Sequence, residues 1–502
     1  MFLETILMSV ATLTACSVDS NLDIQPNETV EETNPSPTPV DGLVTTFTTS
    51  ANGFTTLKQG SVKLYEGSTI APTAIILDST DTHQTIDGFG FAITYSTCYN
   101  LLHMSDEDRT DFLKRTYSTT EGYGVSYARI SIGCNDFSST EYSLCDEEGL
   151  ENFALQSDEI NYVIPVLKEI LAINPNLKII AAPWTCPKWM KVEDITTKTA
   201  HDEWTDGHLN PDYYDEYAEY FVKFIQAMKE QGIDIYAVSP QNEPLNKENC
   251  ASLYMPWEEE AAFVQELAKA FEENNITTKI YLYDHNYDYS SISDQEDYPV
   301  KIYNALGDSY EGSELVVGAA YHDYGGSNSE LSDIYSQAPD KELIFSETSI
   351  GTWNDGRNLS ARLLEDMQNV VLGTLNQQCK AVLVWNLMLD TNMGPNLDGG
   401  CQTCYGAVDI STDYKTISKN SHYYIITHAS SVIRPGATRI GTSSHSATLS
   451  DITYSAFKNT DGTSAILLTN SGDSDQLITV VDGNSYFQIT VPQESVMSCA
   501  WK

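Results

Sequence analysis

The chain is short of positive charge. Its 502 residues carry 27 Lys and Arg against 71 Asp and Glu, a formal net charge of −44. A phosphate backbone needs a basic face, and this balance supplies none readily, which argues against a nucleic-acid partner. The same deficit disfavours adhesion of the folded chain to anionic lipid. No run of 18 apolar residues occurs, so no segment is read as a membrane-spanning helix. A dinucleotide loop is lacking too: Asp87-Gly88-Phe89-Gly90 has no third glycine and no helix start in register. Zinc-type spacing is thin, with one CxxC, Cys401-Gln402-Thr403-Cys404, and no second pair or His cluster beside it. What is present is apolar content of 41%, enough for a large core, with 30 Tyr and 7 Trp. A neutral ligand such as a glycan remains compatible, and some of those aromatics suit sugar stacking while most belong in the core.

The amino terminus has its own grammar. Ile6 to Ala15 is a short apolar run that ends in Leu13-Thr14-Ala15-Cys16. That tetrapeptide resembles a bacterial lipobox, in which the signal is cleaved before a cysteine that then carries lipid. One feature departs from the pattern: Glu4 is present, and no Lys or Arg precedes the apolar run. Pro26, Pro35, Pro37 and Pro39 follow among acidic residues, and no basic residue appears before Lys58. Such a segment reads as a tether. Of the ten cysteines, nine remain once Cys16 is set aside, an odd number that cannot pair completely within one chain. Most are expected to be buried thiols, with Cys401 and Cys404 joined as a local disulfide.

From Gln84 onward, apolar strand-like runs alternate with helical stretches. The runs are 86–94, 125–132, 178–183, 235–239, 279–284, 316–321, 342–346 and 381–386, at a mean spacing of about 42 residues. They are continuous rather than alternating, as parallel strands buried on both faces should be. Eight strand–helix units predict a (β/α)8 barrel, with Asp87 to Gly90 as a tight bend near its mouth. Asn210 and Pro211 open a helix whose stripe runs from Tyr213 to Met228, and Gly232 stops it. Pro165 should kink a second helix over 163–173 or mark a late start. The segments 44–77 and 447–501 alternate with turn glycines and predict strands, so both chain ends are expected to share one β-domain. The expected organisation is a lipoprotein signal (1–16), an acidic Pro-rich linker (17–45), N-terminal strands of the β-domain (46–80), the barrel (81–428) and the C-terminal β-domain (429–502).

Catalytic groups of such barrels sit at the C-terminal ends of the strands. Glu243, in Ser239-Pro240-Gln241-Asn242-Glu243-Pro244, follows the fourth run, and Glu347 ends the seventh. Placed there, two carboxylates converge across the mouth at the spacing of a glycosidase pair. The acid of such a pair is expected to have a raised pKa. Either glutamate alone would be one acid among many in an acidic chain; the pair with its flanking residues carries the reading.

Further motifs make the resemblance specific. They are Gln84-Thr85-Ile86-Asp87-Gly88-Phe89-Gly90, Arg129 with Cys134-Asn135-Asp136-Phe137-Ser138, and Ala182-Pro183-Trp184-Thr185-Cys186-Pro187-Lys188-Trp189-Met190-Lys191. Val384-Trp385-Asn386-Leu387 and Gly394-Pro395-Asn396 complete the set. Over residues 44–502 the chain resembles glycoside hydrolase family 30, which includes glucosylceramidases and endo-β-1,6-glucanases. The resemblance implies a barrel with a flanking β-sandwich, a retaining mechanism, and neither cofactor nor metal. It makes Glu243 the acid/base, Glu347 the nucleophile and Asn242 a partner of the sugar 2-hydroxyl. Asp136, Trp184 and Trp385 match sugar-binding positions, Arg129 would hold the nucleophile ionised, and His322 and Tyr324 would lie beside the sugar. Family members acting on glucosylceramide tend to have Trp where this chain has Asp323, which leaves the aglycone open. The loop from Asn396 to Cys404 would form part of the rim.

The reading is a monomeric, lipid-anchored, exported hydrolase of a β-glucan or β-glucoside, with β-1,6-glucan the expected substrate. Glucosylceramide is the nearest alternative. A xylanase would want a basic site for a glucuronate branch, and none is evident. A non-catalytic glycan-binding lipoprotein is the reading of a different class; loss of either glutamate would have favoured it.

Overall fold

The computed structural model describes residues 41–67, 71, 73–444 and 449–502. The lipidation site expected at Cys16 and the linker from 17 to 40 lie outside these residues. Eight strands form the barrel: β1 (Gly88–Ala92), β2 (Tyr127–Ser131), β3 (Lys178–Ala182), β4 (Ala237–Val238), β5 (Lys279–Asn286), β6 (Val316–His322), β7 (Glu342–Glu347) and β8 (Cys379–Asn386). Neighbours in chain order pair in parallel, and β8 returns to pair with β1, which closes the ring. Tyr127, Ile180, Ala237, Tyr281, Ala320, Ile344, Ala381 and Leu383 pack together, all fully buried, so part of the bore is filled with side chains. A ligand therefore has to sit on a face of this barrel rather than inside it.

The helices follow local signals. Asn210 caps a single tight turn, Pro211–Tyr213, by accepting from the Asp212 N–H, and the α-helix proper runs Tyr214–Glu230. Tyr217, Tyr220, Phe221, Phe224, Ile225 and Met228 are its buried stripe, and Gly232 closes it at φ +80°. Pro165 marks no late start: the helical stretch already begins at Ser157, and a wider π turn, Glu159–Val163, leads directly into the α-helical Ile164–Ile173. Pro165 lacks an N–H, and the wider turn just before it is where the ladder shifts to do without that donor. Asp87 to Gly90 is not at the mouth. It begins β1 at the opposite end of the barrel, where a Cβ on Gly90 would lie 1.8 Å from the Tyr127 carbonyl oxygen. Close approach of β1 to β2, rather than a bend, is what requires that glycine.

Ten strands from both chain ends make the flanking sheet, which runs from Lys58–Lys63 at one edge to Tyr65–Glu66 at the other. Leu43–Ser50 pairs antiparallel with Ser495–Trp501, joining the two ends of the described chain. The sheet turns over on itself, so Phe487 meets Trp501 at 4.9 Å between ring centroids. Two boundaries differ from expectation. Residues 43–45 belong to the first strand rather than the linker, and Ala74–Thr85 carries the sheet past residue 80. Both extensions are held by ladders: Leu43–Ser50 by its neighbours, and Ala74–Thr85 by pairing with Thr438–Ser444 and Gln476–Asp482. Helix Ser421–Val432 is buried on every side, as a helix wedged between two bodies must be. Its His428 links Ser498 (2.9 Å) to Thr49 (2.8 Å), one strand from each chain end. Among the described residues no helix is long and apolar enough to cross a membrane.

Candidate active site

Strand ends β2, β4, β5, β6 and β7 converge on one buried cluster. Arg129, on β2, is fully buried and serves as its hub. One Nη2 donates to Asn242 Oδ1 (2.7 Å) and Asp284 Oδ2 (2.8 Å), and Nη1 donates to Glu347 Oε2. The guanidinium lies 5.0 Å from the Trp184 ring and 5.5 Å from the Trp385 ring, which stack on each other at 5.3 Å. A cation enclosed by aromatic rings and carboxylates is fixed in place.

Glu347 ends β7, and its Oε1 accepts from the Tyr324 hydroxyl at 2.9 Å. Glu243 follows β4 in a left-handed conformation, φ +46°, a strained backbone for a glutamate. Its N–H is held by the Asp284 carbonyl at 3.0 Å, so the turn is fixed from β5. The Glu243 carboxylate accepts from Asn246 Nδ2 at 2.8 Å and lies 3.3 Å from His322 Nδ1. His322 Nε2 in turn lies 3.0 Å from Asp284 Oδ1. Carboxylate oxygens of Glu243 and Glu347 and a ring nitrogen of His322 come within 4.8 Å of one another. That separation of the two carboxylates is the short spacing of retaining glycosidases, not the ~6.5–9.5 Å of inverting ones.

The charges decide what each group does. Burial alone would lower His322, but Glu347, Asp284 and Glu243 around it raise it to about 9, so it is an imidazolium. Burial pushes Glu243 up, yet the His322 hydrogen bond, the His285 and His322 rings and the Asn246 amide outweigh it and hold it at about 2. This reverses the expectation of a raised acid. The reason is His322, which carries the proton beside it. Burial leaves Glu347 above the ordinary carboxylate range even though His322 and Arg129 pull it down. Asp284 is buried too, but Arg129 and His322 keep it far below that range. Asp136, at 6% exposure, is pushed well up by burial and by Glu347 and Glu243.

The rim closes over Asp136. Cys401 and Cys404 are joined in a disulfide, and the Leu397 N–H donates to the Asp136 carbonyl at 3.0 Å. A Cβ on Gly400 would fall 2.4 Å from that same carbonyl oxygen, so only glycine lets the loop lie this close. The seven cysteines described outside the disulfide are buried free thiols. Glu243, His322 and Glu347 have the spacing of a metal triad, and Glu347 is already paired with Arg129.

The structure thus gathers Glu243, Glu347, Asn242, Arg129, His322 and Tyr324 at one point, with Trp184, Trp385 and Asp136 beside them. Asp284 was missed, although it sits where an acidic residue at a barrel mouth attracts attention. The predicted strand stopped at this residue, whereas β5 continues to Asn286 through an irregular step between Tyr283 and His285. Asp284 itself has φ +58°, which aims its carboxylate inward at Arg129, His322 and Ser346.

Comparison with known proteins gives a consistent picture. Residues 86–433 match the Glycosyl hydrolase family 30 TIM-barrel domain, and 436–499 match the Glycosyl hydrolase family 30 beta sandwich domain. The solved structure of the endo-beta1,6-glucanase BT3312 is 56% identical, with a TM-score of 0.87, covering 91% of this chain and 99% of that one. An endo-1,6-beta-D-glucanase of Trichoderma harzianum is 30% identical, covering 78% of this chain and 79% of its own. The lysosomal acid glucosylceramidase of Mus musculus is 24% identical, covering 84% and 81%.

Proposed function

We propose a substrate and a division of labour for this chain, which belongs to glycosyl hydrolase family 30: it cuts β-1,6-glucan, with Glu347 as nucleophile and Glu243 as acid/base. The observation that carries the roles is the asymmetric dressing of two carboxylates at retaining distance. Glu347 is held by two donors, Arg129 and Tyr324, which orient an anion for attack on the anomeric carbon. Glu243 faces His322, a proton-bearing partner. The substrate rests on the 56% identity to an endo-beta1,6-glucanase over nearly the whole chain.

Three carboxylates, Glu243, Asp284 and Glu347, face one permanent cation, Arg129. A proton on His322 and another on Glu243 bring the five groups to neutrality. Filling the pocket with a neutral sugar expels water and favours that neutral count, because unbalanced charge costs more in a drier site. Glu243 then gives its proton to the leaving oxygen while Glu347 forms the bond to the sugar. Esterified Glu347 no longer carries charge, so Glu243 stays ionised against His322 and takes the proton of the incoming water. Water attacks the anomeric carbon, and Glu347 leaves as a carboxylate. Asn242 has its oxygen committed to Arg129, so its NH2 is what it offers the sugar.

The test is the product's configuration and the behaviour of Glu243→Gln. The first product should be the β-anomer by NMR. Glu243→Gln should keep the first step on glucosides whose leaving groups need no protonation, seen as a burst of released leaving group, while losing about 10²–10⁴-fold on glucan. A first-formed α-anomer would end the double-displacement reading. Side-by-side assays on β-1,6-glucan, laminarin and glucosylceramide decide the substrate.

We further propose that Cys16 carries lipid and anchors an exported enzyme, with the following acidic Pro-rich segment as spacer. The Leu13-Thr14-Ala15-Cys16 run supports this, as does a disulfide of the kind that persists outside reducing compartments. Cys16→Ser should shift the protein from membrane to soluble fractions with unchanged kinetics; unaltered sedimentation would rule the anchor out.

A further inference from the structure

One residue beyond Glu347 the molecule opens into a second cavity of about 430 Å³, within the ~300–1,000 Å³ of small-molecule sites. Thr348 and Tyr324 line it, yet neither Glu243 nor Glu347 does, so it adjoins the reaction pocket without being it. One feature of its wall has no structural use in the free protein. It is Trp353, 53% exposed, a large apolar face left to solvent. Its ring lies against Gly351, where an added Cβ would meet the ring at 1.9 Å, so a glycine is needed for the ring to rest there. The loop is also tied down: the Thr352 N–H donates to the Thr403 carbonyl at 3.0 Å, inside the disulfide-closed turn.

The direction of the substrate follows from exposure. Trp184, Trp385 and Asp136 are 2%, 5% and 6% exposed under the closed rim, so the sugar facing Glu347 is walled on their side. The open side carries Tyr324, at 43%, and Trp353. The ring beyond the scissile bond must leave on that side. There the wall is polar, with Asp323, Asn354, Glu365 and Asp366 among its residues, which suits hydroxyl groups and repels acyl chains. A 1,6 link also puts one more rotatable carbon between rings than other glucan links, so the leaving ring can turn aside into an offset cavity.

We propose that this cavity is a sugar subsite on the leaving-group side, with Trp353 as its stacking face. The assignment rests on the glucanase reading above. The test compares two substrates with the same glucosyl group: a β-1,6-gluco-oligosaccharide, and β-glucosyl fluoride, whose leaving group is too small to reach the cavity. The readout is the ratio of kcat/KM values, oligosaccharide over fluoride. Trp353→Ala should lower that ratio about 30-fold, as truncating an aromatic anchor does. A ratio unchanged in this variant, or equal losses on both substrates, overturns the subsite. If the wild type cuts laminarin but not the β-1,6 chain, the substrate reading fails, and the same ratio measured on laminarin oligosaccharides still judges the cavity. Activity on the fluoride with none on any glucan ends both.

Discussion

Strand β7 begins and ends in glutamate, and its two ends show how position sorts one residue type into two uses. At the floor of the barrel, Glu342 accepts from Lys279 (2.9 Å), Lys380 (2.6 Å) and the Tyr281 hydroxyl (2.5 Å). Beside it Asp87 pairs with Lys178 at 2.8 Å and takes the Tyr236 hydroxyl at 2.9 Å. Three lysines thus serve two carboxylates. Burial raises Glu342, but Lys380, Tyr281 and Lys279 carry it below the ordinary range. At the mouth the balance is inverted. Glu243, Asp284 and Glu347 share Arg129 and His322, Asp136 lies beside them as a fourth carboxylate, and Glu347 ends above that range. Charges at the floor are satisfied and hold strands together. Charges at the mouth are left one or two protons short of balance, which is what a proton-transferring site requires. Conserving charge balance at the floor and withholding it at the mouth separates stability from chemistry along a single strand.

The sharpest way to break this comparison is to remove each glutamate in turn. Glu347→Gln should cost on the order of 10⁴-fold or more in kcat/KM on every glycoside, the scale of losing a nucleophile. Its thermal midpoint should fall by no more than about 2 °C, because Arg129 keeps Asp284 and Asn242. Glu342→Gln should do the opposite. It strands Lys279 and Lys380 and should cost about 2–3 kcal/mol in stability, less than a fully buried pair because the Glu342 side chain keeps 22% exposure. Activity per folded molecule should hold. Denaturant melts read beside initial rates check both; a Glu342→Gln enzyme as inactive as Glu347→Gln would erase the distinction.

Acid titrates lowered carboxylates at both ends, Glu342 at the floor and Glu243 and Asp284 at the mouth, whereas alkali reaches the mouth through His322. Glu342 lies below its ordinary 4.5 when folded, so its contribution is full above that value and is lost as pH falls through the lowered one. His322 is raised from 6.5 to about 9, so its contribution is full below pH 6.5 and is lost as pH climbs towards 9. Thermal midpoints from pH 3 to 9 should show both limbs. His322→Gln should flatten only the alkaline limb, and a slope that persists in that variant would mean the imidazolium is not its source. The smallest effect is expected at the rim. Cys401→Ser opens a very short loop and should cost at most about 2 kcal/mol. Its signature should be a raised KM on glucan with kcat nearly intact, since the loop it closes covers Asp136 and ties the Trp353 turn.

Eight apolar runs with helices between them, two glutamates at the ends of runs four and seven, Arg129 near the end of run two and tryptophans at the ends of three and eight were all legible in the chain. These are local facts: periodicity is set by a few neighbouring residues, and in a parallel barrel a residue at a strand's C-terminal end has nowhere to point but the mouth. The pairing of Cys401 with Cys404 was legible for the same reason, being a turn's width apart. Other properties depend on groups far apart in the chain. Asp284 matters because a left-handed backbone step turns it towards Arg129 and His322, and no local pattern announces that step. Gly88 and Gly90 looked like a mouth turn until the strand that holds them placed them at the floor. The low pKa of Glu243 is a sum over His322, His285 and Asn246, set against burial, and its sign reversed the expectation drawn from carboxylate pairing alone. The exposed Trp353 face borders a cavity only because strands β5, β6 and β7 bring their loops to one rim. Sequence determines which chemistry-bearing groups stand at strand ends, because that follows from short-range periodicity. Tertiary structure alone decides how they are charged and what space they enclose, because electrostatics and cavities are sums over neighbours the chain does not place side by side.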